Sequence, residues 1–278
     1  MCEYNNKLLD EIVNEYSLLK EVEAIMLGGS RITDVIDAGS DYDIYIYQNS
    51  EIPVAKREKI AKKFADKMEI NNQFWETGDE WITRDSNTSV DIMYRSFQWM
   101  EDMLDWVVIK QKGCMGYTTC FWHNLITGKI LYDKNGKGKK LQEKYKKEYS
   151  DKLKINIIKK NYPVLRKNIS SYYQQIKKAI KRKDYVSINH RISALLESYF
   201  DIIFALNKLT HPGEKKLVDI VKSSCKKIPA DFELNITNLI QSIPAADAIV
   251  LKNIDILLDH MDQLLVKDNC LLPVAACH

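Results

Sequence analysis

No two of the six cysteines, at positions 2, 114, 120, 225, 270 and 277, stand as a CxxC pair, and their spacing follows no regular pattern. A zinc site built on paired cysteines is therefore not expected, and the terminal Cys277-His278 reads as a frayed tail. No apolar run approaches the roughly 18 residues that a membrane-spanning helix needs, and no apolar leader of the signal-peptide kind opens the sequence. The expectation is a cytoplasmic protein with reduced thiols and no membrane partner. The five histidines fall in no Ser-His-Asp or Cys-His setting that would favour hydrolase chemistry; His123, beside Trp122, reads as a structural histidine. Internal repeats and low-complexity tracts are also missing.

What is present is ordinary in amount and uneven in placement. Apolar residues make up 45% and charged residues 28% of 278 positions, enough to bury a real core, and that length favours two domains. The net charge of +3 hides a split: residues 1–135 hold 15 Lys and Arg against 23 Asp and Glu, while residues 136–278 hold 26 against 15. An acidic half suits a divalent cation and a cationic acceptor, and a basic half suits a triphosphate. Taken singly, the lysines of 137–147 and 177–183 read as solvated helix faces.

Hydrophobic spacing predicts a helix over residues 4–20, strands around Ala24 and Tyr42, and a second helix from Pro53 with Val54, Ile60, Phe64 and Met68 as its buried stripe. Phe74 to Trp81, rich in aromatics and acids, reads as loop packing or the wall of an acceptor pocket. A helix over about 98–110 and strands near Tyr117 and Lys129 complete this half. Asp133-Lys134-Asn135-Gly136 combines turn residues with the change in charge sign and sets the expected boundary. Beyond it the pattern is helical: about 138–160, 163–182, 184–209, 214–227, 231–241 and 245–267.

The chemistry concentrates near the N-terminus. Gly28-Gly29-Ser30 follows the apolar run Ala24-Ile25-Met26-Leu27 and suits a turn whose N–H groups meet an anion, helped by the dipole of a helix if one begins near Ser30. Ser40-Asp41-Tyr42-Asp43 then opens a β-prone run. Strand alternation puts Asp41 and Asp43 on one face with Tyr42, Ile44 and Ile46 on the other, a spacing that suits two carboxylates closing on a hard cation. Asp91, inside Thr88-Ser89-Val90-Asp91-Ile92-Met93-Tyr94, is the candidate third carboxylate, because a lone Asp in an apolar strand is costly unless paired or bound to a cation.

This order of motifs resembles the DNA polymerase β-type nucleotidyltransferases, and within them the bacterial aminoglycoside and lincosamide nucleotidyltransferases and their relatives that carry a domain-of-unknown-function label. Cys120-Phe121-Trp122-His123, Leu131-Tyr132-Asp133, Asn207 and His211-Pro212-Gly213-Glu214-Lys215 are similar to that group. The resemblance implies an α+β fold: a polymerase β-like nucleotidyltransferase domain over residues 1–135, a mixed sheet with flanking helices, then a helical bundle over 136–278. It implies an enzyme that moves AMP from ATP, or another NMP, onto a small-molecule hydroxyl, with antibiotic resistance by modification of an aminoglycoside-like compound as the type. Asp41, Asp43 and Asp91 would hold Mg²⁺, with Asp91 as ligand or as base toward the hydroxyl. Gly28, Gly29, Ser30, Arg31 and Ser40 would meet the nucleotide, and Lys215, supported by Asn207, its outer phosphates. Glu197 and Asp201, four apart on a helix, suit a cationic acceptor or surface salt bridges. Transfer to tRNA or to a protein hydroxyl, and a catalytically silent nucleotide-binding partner, remain open. No stacked-aromatic RNA motif favours the first, and the three carboxylates argue against the last.

Overall fold

The computed structural model describes residues 7–32, 41–74 and 76–271. The chain divides into two compact units, one of residues 1–105 with 121–147 and one of 106–120 with 148–278. The break after Lys147 falls later than the position expected from the charge change, and the segment 106–120 joins the second unit.

The first unit is built on β1 (Val22–Gly28), β2 (Tyr42–Gln48), β3 (Ala65–Asn72), β4 (Gly78–Thr83), β5 (Ser89–Arg95) and β6 (Lys129–Asp133). They form one mixed sheet in the order β3-β4-β5-β2-β1-β6. β2 and β5 pair in parallel, and the other neighbours are antiparallel. On one face, Ile25 and Leu27 of β1, Ile44 and Ile46 of β2, and Val90 and Ile92 of β5 pack with Leu9, Ile12 and Tyr16 of α1 (Lys7–Ser17) and Ile60 and Ala61 of α2 (Val54–Phe64); on the other, Ala24, Met26, Tyr45 and Tyr47 are buried too. Each such side chain contributes about 1.5–3 kcal/mol on burial. The chain is therefore α+β with a mixed six-stranded sheet.

One sequence expectation fails in this unit. The helix from Pro53 ends at Phe64, where Ala65 turns extended at φ −140° and β3 begins, so Met68 belongs to a strand. β3 pairs with β4 alone and exposes much of its length, and an edge strand with little apolar alternation leaves no periodic signal. Within the 74–81 segment, Trp81 follows the packing reading, while Glu80 is exposed. Trp81 on β4 is fully buried, stacked on Phe64 at 6.0 Å and on Tyr16 at 6.4 Å, and Trp75 lies outside the described residues. Beside Trp81 a polar network is sealed into the core. Asp79 accepts hydrogen bonds from the Tyr94 hydroxyl at 2.6 Å and the Asn71 N–H at 2.8 Å, lies 3.6 Å from Arg57, and Tyr94 meets the Tyr16 hydroxyl at 2.8 Å.

The second unit is helical: α6 (Asp151–Tyr162), α7 (Tyr172–Arg182), α8 (Tyr185–Leu206), α9 (Leu217–Ser224), α10 (Phe232–Ser242) and α11 (Ala248–Lys267), following α3 (Phe97–Leu104), α4 (Cys120–Thr127) and α5 (Lys137–Tyr145) earlier in the chain. The C-terminal half of α8 is buried on every side from Ser198 to Leu206, as suits the central helix of a bundle. The helix expected over 138–160 is broken between α5 and α6 because Ser150 caps the latter, its side chain accepting from the Leu153 N–H at 3.1 Å. Ser171 caps α7 in the same way and splits the helix expected over 163–182.

No strand forms near Tyr117. Gly116 and Tyr117 both take positive φ, at 68° and 49°, and side chains from the bundle capture the backbone that a ladder would need. Asn161 accepts from the Gly116 N–H at 3.0 Å and donates to the Cys114 carbonyl at 2.9 Å; Asp201 accepts from the Thr118 N–H at 3.1 Å. These bonds tie 106–120 to the second unit.

Candidate active site

Strand register builds the site. Asp43 of β2 is the direct partner of Asp91 of β5, which is in turn the partner of Glu80 of β4, while Gly28 of β1 faces Asp43 from the other side. Directly paired residues project from the same face of a sheet, on strands about 4.8 Å apart. Glu80, Asp91, Asp43 and Gly28 thus form one row across four strands, on the face opposite the α1–α2 core. Asp43 and Asp91 are half-buried and Glu80 is exposed. Like charges set directly opposite one another destabilise a sheet unless a cation or a hydrogen-bond donor compensates them.

Gly29 explains how Asp43 is held. Its φ is +67°, and a Cβ there would lie 1.8 Å from Asp43 Oδ2. The residue is glycine because the carboxylate occupies the space a side chain would fill. Gly28 plays a parallel part under Tyr45, whose ring would lie 2.3 Å from a Cβ. Gly29→Ala is expected to push the Asp43 carboxylate out of place and to strain a backbone at positive φ, lowering thermal stability; a variant that melts as wild type does, with Asp43 unmoved in its crystal structure, would contradict it.

The helix foreseen near Ser30 is a single 3-10 turn, Ser30–Ile32, too short to supply a helix dipole. Arg31 in that turn lies with its guanidinium 3.8 Å above the Tyr42 ring. The Ser30 side chain and all of Ser40 lie outside the described residues. Asp41 is half-buried and precedes β2, so the ladder that fixes Asp43 and Asp91 does not include it. Among the described residues no group of three or more His, Cys, Asp or Glu is gathered closely enough to hold a metal ion. The pair Asp43–Asp91 is what the register brings together. Oxygen donors of this kind suit a hard cation, and Mg²⁺ commonly takes one or two carboxylates and completes its shell with substrate phosphates and water.

One strand turn beyond Asp91 on the same face, a charged pair that spacing alone did not reveal anchors the sheet. Arg95 donates to both oxygens of Glu76, at 2.7 and 2.6 Å, with its guanidinium 4.2 Å above the Tyr45 ring and 5.2 Å from that of Phe121. Burial works against the Arg95 cation, but the Glu76 carboxylate outweighs it and holds the guanidinium above its ordinary pKa. The Tyr45 hydroxyl is pushed up to about 12, chiefly by burial, with Arg95 lowering it and Asp43 and Glu76 raising it. Arg95 sits in no recognisable motif, and Glu80 is legible in the sequence only as one acid of the 74–81 segment, not as a neighbour of Asp91. The only signal of their place is parity with Asp91 along β4 and β5.

In the second unit, the amide of Asn207 is fully committed to the backbone. It donates to the carbonyls of Ile203 and Lys227 and accepts from the N–H groups of Lys226 and Lys227, all within 2.9 Å. It closes the end of α8. Lys215 is exposed in the turn before α9. Asp201 is neither an exposed acceptor contact nor a surface ion pair: it is 1% exposed and accepts from Thr118 and Asn161. Glu197, half-buried one turn earlier, is raised by burial and by Glu214.

Burial pushes Asp201 up to about 6 despite those hydrogen bonds. The folded chain therefore binds its proton more tightly than the unfolded chain, and stability is lost as pH rises from the unfolded pKa through the folded one. The stability of wild type relative to Asp201→Asn is expected to fall by on the order of 3 kcal/mol between about pH 4 and pH 6, measured by urea unfolding; a difference independent of pH would contradict it. His211, fully buried, donates its N–H to Thr119 at 2.7 Å and lies 3.5 Å from the Cys120 sulfur. Burial raises Cys120 to about 12 and lowers His123, so neither reads as a nucleophile or a poised base.

Residues 119–217 match a family model described as a domain of unknown function, DUF4037. The match covers less than half of the chain and none of the residues in the carboxylate row. No curated protein matches. A solved structure with some likeness is a nucleotidyltransferase-like protein from Exiguobacterium sibiricum 255-15, 12% identical, with a TM-score of 0.40 over 92% of this chain and 72% of that one. A likeness of that size bears neither on fold nor on activity, which are argued from register and side chains. No helix of the described residues is long and apolar enough to cross a membrane.

Proposed function

We propose that the protein is a Mg²⁺-dependent nucleotidyltransferase that moves AMP from ATP onto the hydroxyl of a small acceptor, with aminoglycoside-like compounds as the type. The observation that carries this reading is the register pairing of Asp43 with Asp91 beside a glycine whose missing side chain makes room for a carboxylate. Asp43 and Asp91 would hold the cation, with Asp41 as a further ligand, and Gly28, Gly29 and Arg31 would lie along the phosphates. When bound, Mg²⁺ would supply charge neutralisation on the transferring phosphate.

The chain's own groups do the rest. As the acceptor oxygen bonds to the α-phosphorus and the bond to pyrophosphate breaks, the hydroxyl proton passes to a carboxylate oxygen of Asp91. Glu80, one strand over, adds negative charge where a cationic acceptor would sit. The bonds of Asn207 assign it to the turn it closes.

Calorimetry with Mg²⁺-ATP, followed by pyrophosphate release over aminoglycosides, lincosamides and tRNA, tests the proposal. Metal-dependent release with a small hydroxylated acceptor is the expected result. Release with tRNA alone would replace the acceptor class, and nucleotide binding with no release from any of them would favour a silent binding protein.

A further inference from the structure

In the second unit some cations meet carboxylates: Lys154 pairs with Asp151 and Asp268, Lys208 with Asp151, Lys222 with Glu233, and Arg166 with Asp255, Asp259 and Asp262. Others, such as Lys159, Lys160 and Lys252, pair with no carboxylate of the described residues, and the α7–α8 hairpin is where such cations are most concentrated beside an exposed ring. Residues 172–196 contain six Lys and Arg and a single acid, Asp184. All six cations, Lys177, Lys178, Lys181, Arg182, Lys183 and Arg191, are exposed. Arg182 reaches Asp184 at 3.5 Å, but that carboxylate already caps α8 through Ser187. No carboxylate of the described residues pairs with the other five.

Helix-end effects explain only part of this surface. The dipole of α7 favours Lys181, Arg182 and Lys183 in its last turn. It does not account for Lys177 in mid-helix, nor for Arg191 in the N-terminal half of α8, where the dipole opposes a cation. Lys177 with Lys181, and Lys178 with Arg182, also repel at i,i+4 spacing. Next to the turn stand Tyr185, 53% exposed, and Val186, 68% exposed, so an aromatic ring is offered to solvent among unpaired cations. Of the apolar residues of α7, Ile176 and Ala179 are fully buried and Tyr172, Tyr173 and Ile180 are half-buried against the core, which leaves its outer side without the apolar stripe that a membrane-lying helix needs.

We propose that the solvent face of the α7–α8 hairpin binds single-stranded nucleic acid, with the cations on phosphates and Tyr185 stacked on a base. The inference is independent of any transfer chemistry in the first unit. It is tested on the full chain by fluorescence anisotropy with a labelled 20-nucleotide RNA and the DNA of the same sequence. Contact with three or four phosphates gives a salt slope of about −2 to −3, so binding should weaken roughly 20- to 50-fold between 50 and 200 mM KCl. The triple variant Lys178→Ala/Lys181→Ala/Arg182→Ala should bind at least about tenfold more weakly at 50 mM KCl and lose about two units of slope. Tyr185→Ala should weaken binding about fivefold or more with the slope unchanged. These positions are exposed, and matching thermal melts will show the variants folded. Absence of binding at 50 mM KCl, a triple variant that binds as wild type does, or binding to phosphatidylserine vesicles in place of RNA and DNA would overturn the proposal.

Discussion

Asp43→Asn and Asp91→Asn should each lower nucleotidyl transfer by about 100- to 1000-fold, the range seen when one charged group that stabilises a transition state is removed. Both side chains are half-buried and lie directly opposite one another on the parallel pair β2–β5. Glu80→Gln separates the roles within the row. Exposed and one strand further from Asp43, Glu80 should act on KM for a cationic acceptor more than on kcat. Steady-state kinetics with the acceptor identified by pyrophosphate release reads all three variants. Wild-type kcat in Asp43→Asn would sink the assignment.

Arg57→Ala should cost about 3–5 kcal/mol of stability, because it strands the Asp79 carboxylate in the core. Arg57 is 1% and Asp79 2% exposed, and the guanidinium also donates to Asn71 at 2.8 Å and lies 4.6 Å above the Tyr94 ring. Burial already raises Asp79, with Tyr94, Asn71 and Arg57 acting in the other direction. Without Arg57 its pKa should rise further, so the penalty should shrink as the pH falls and the carboxyl is protonated. The double variant Arg57→Met/Asp79→Leu should recover much of the loss, since a buried pair is often replaceable by apolar groups. Urea unfolding at several pH values reads each effect, and an Arg57→Ala curve superimposable on wild type would contradict it.

These two results concern opposite faces of one sheet, and the faces differed in how far the sequence exposed them. The face that packs on α1 and α2 was legible: alternation in Ile44 and Ile46 and helical spacing in Leu9, Ile12 and Tyr16 named core residues correctly, because burial writes itself into periodicity. The placement of Asp91 beside Asp43 depends on a parallel pairing between strands some fifty residues apart, which periodicity cannot express. The pairing of Glu80 with Asp91 and the place of Arg95 on the same face were invisible for the same reason. Gly29 was legible as a glycine that matters, but the direct cause differs from a phosphate cradle: the space is taken by Asp43 itself. Asn207 and Asp201 show the converse. Polar residues that looked available to a ligand are used by the fold to fasten the 225–227 turn and the 114–118 loop, and only a hydrogen-bond inventory reveals it.

Manganese binding followed by electron paramagnetic resonance, with a nonhydrolysable ATP analogue present, bears most directly on the carboxylate row. Wild type should retain Mn²⁺, while Asp43→Asn and Asp91→Asn, folded by circular dichroism, should release it. Retention of Mn²⁺ at wild-type affinity by both variants would show that the paired carboxylates of β2 and β5 hold no cation.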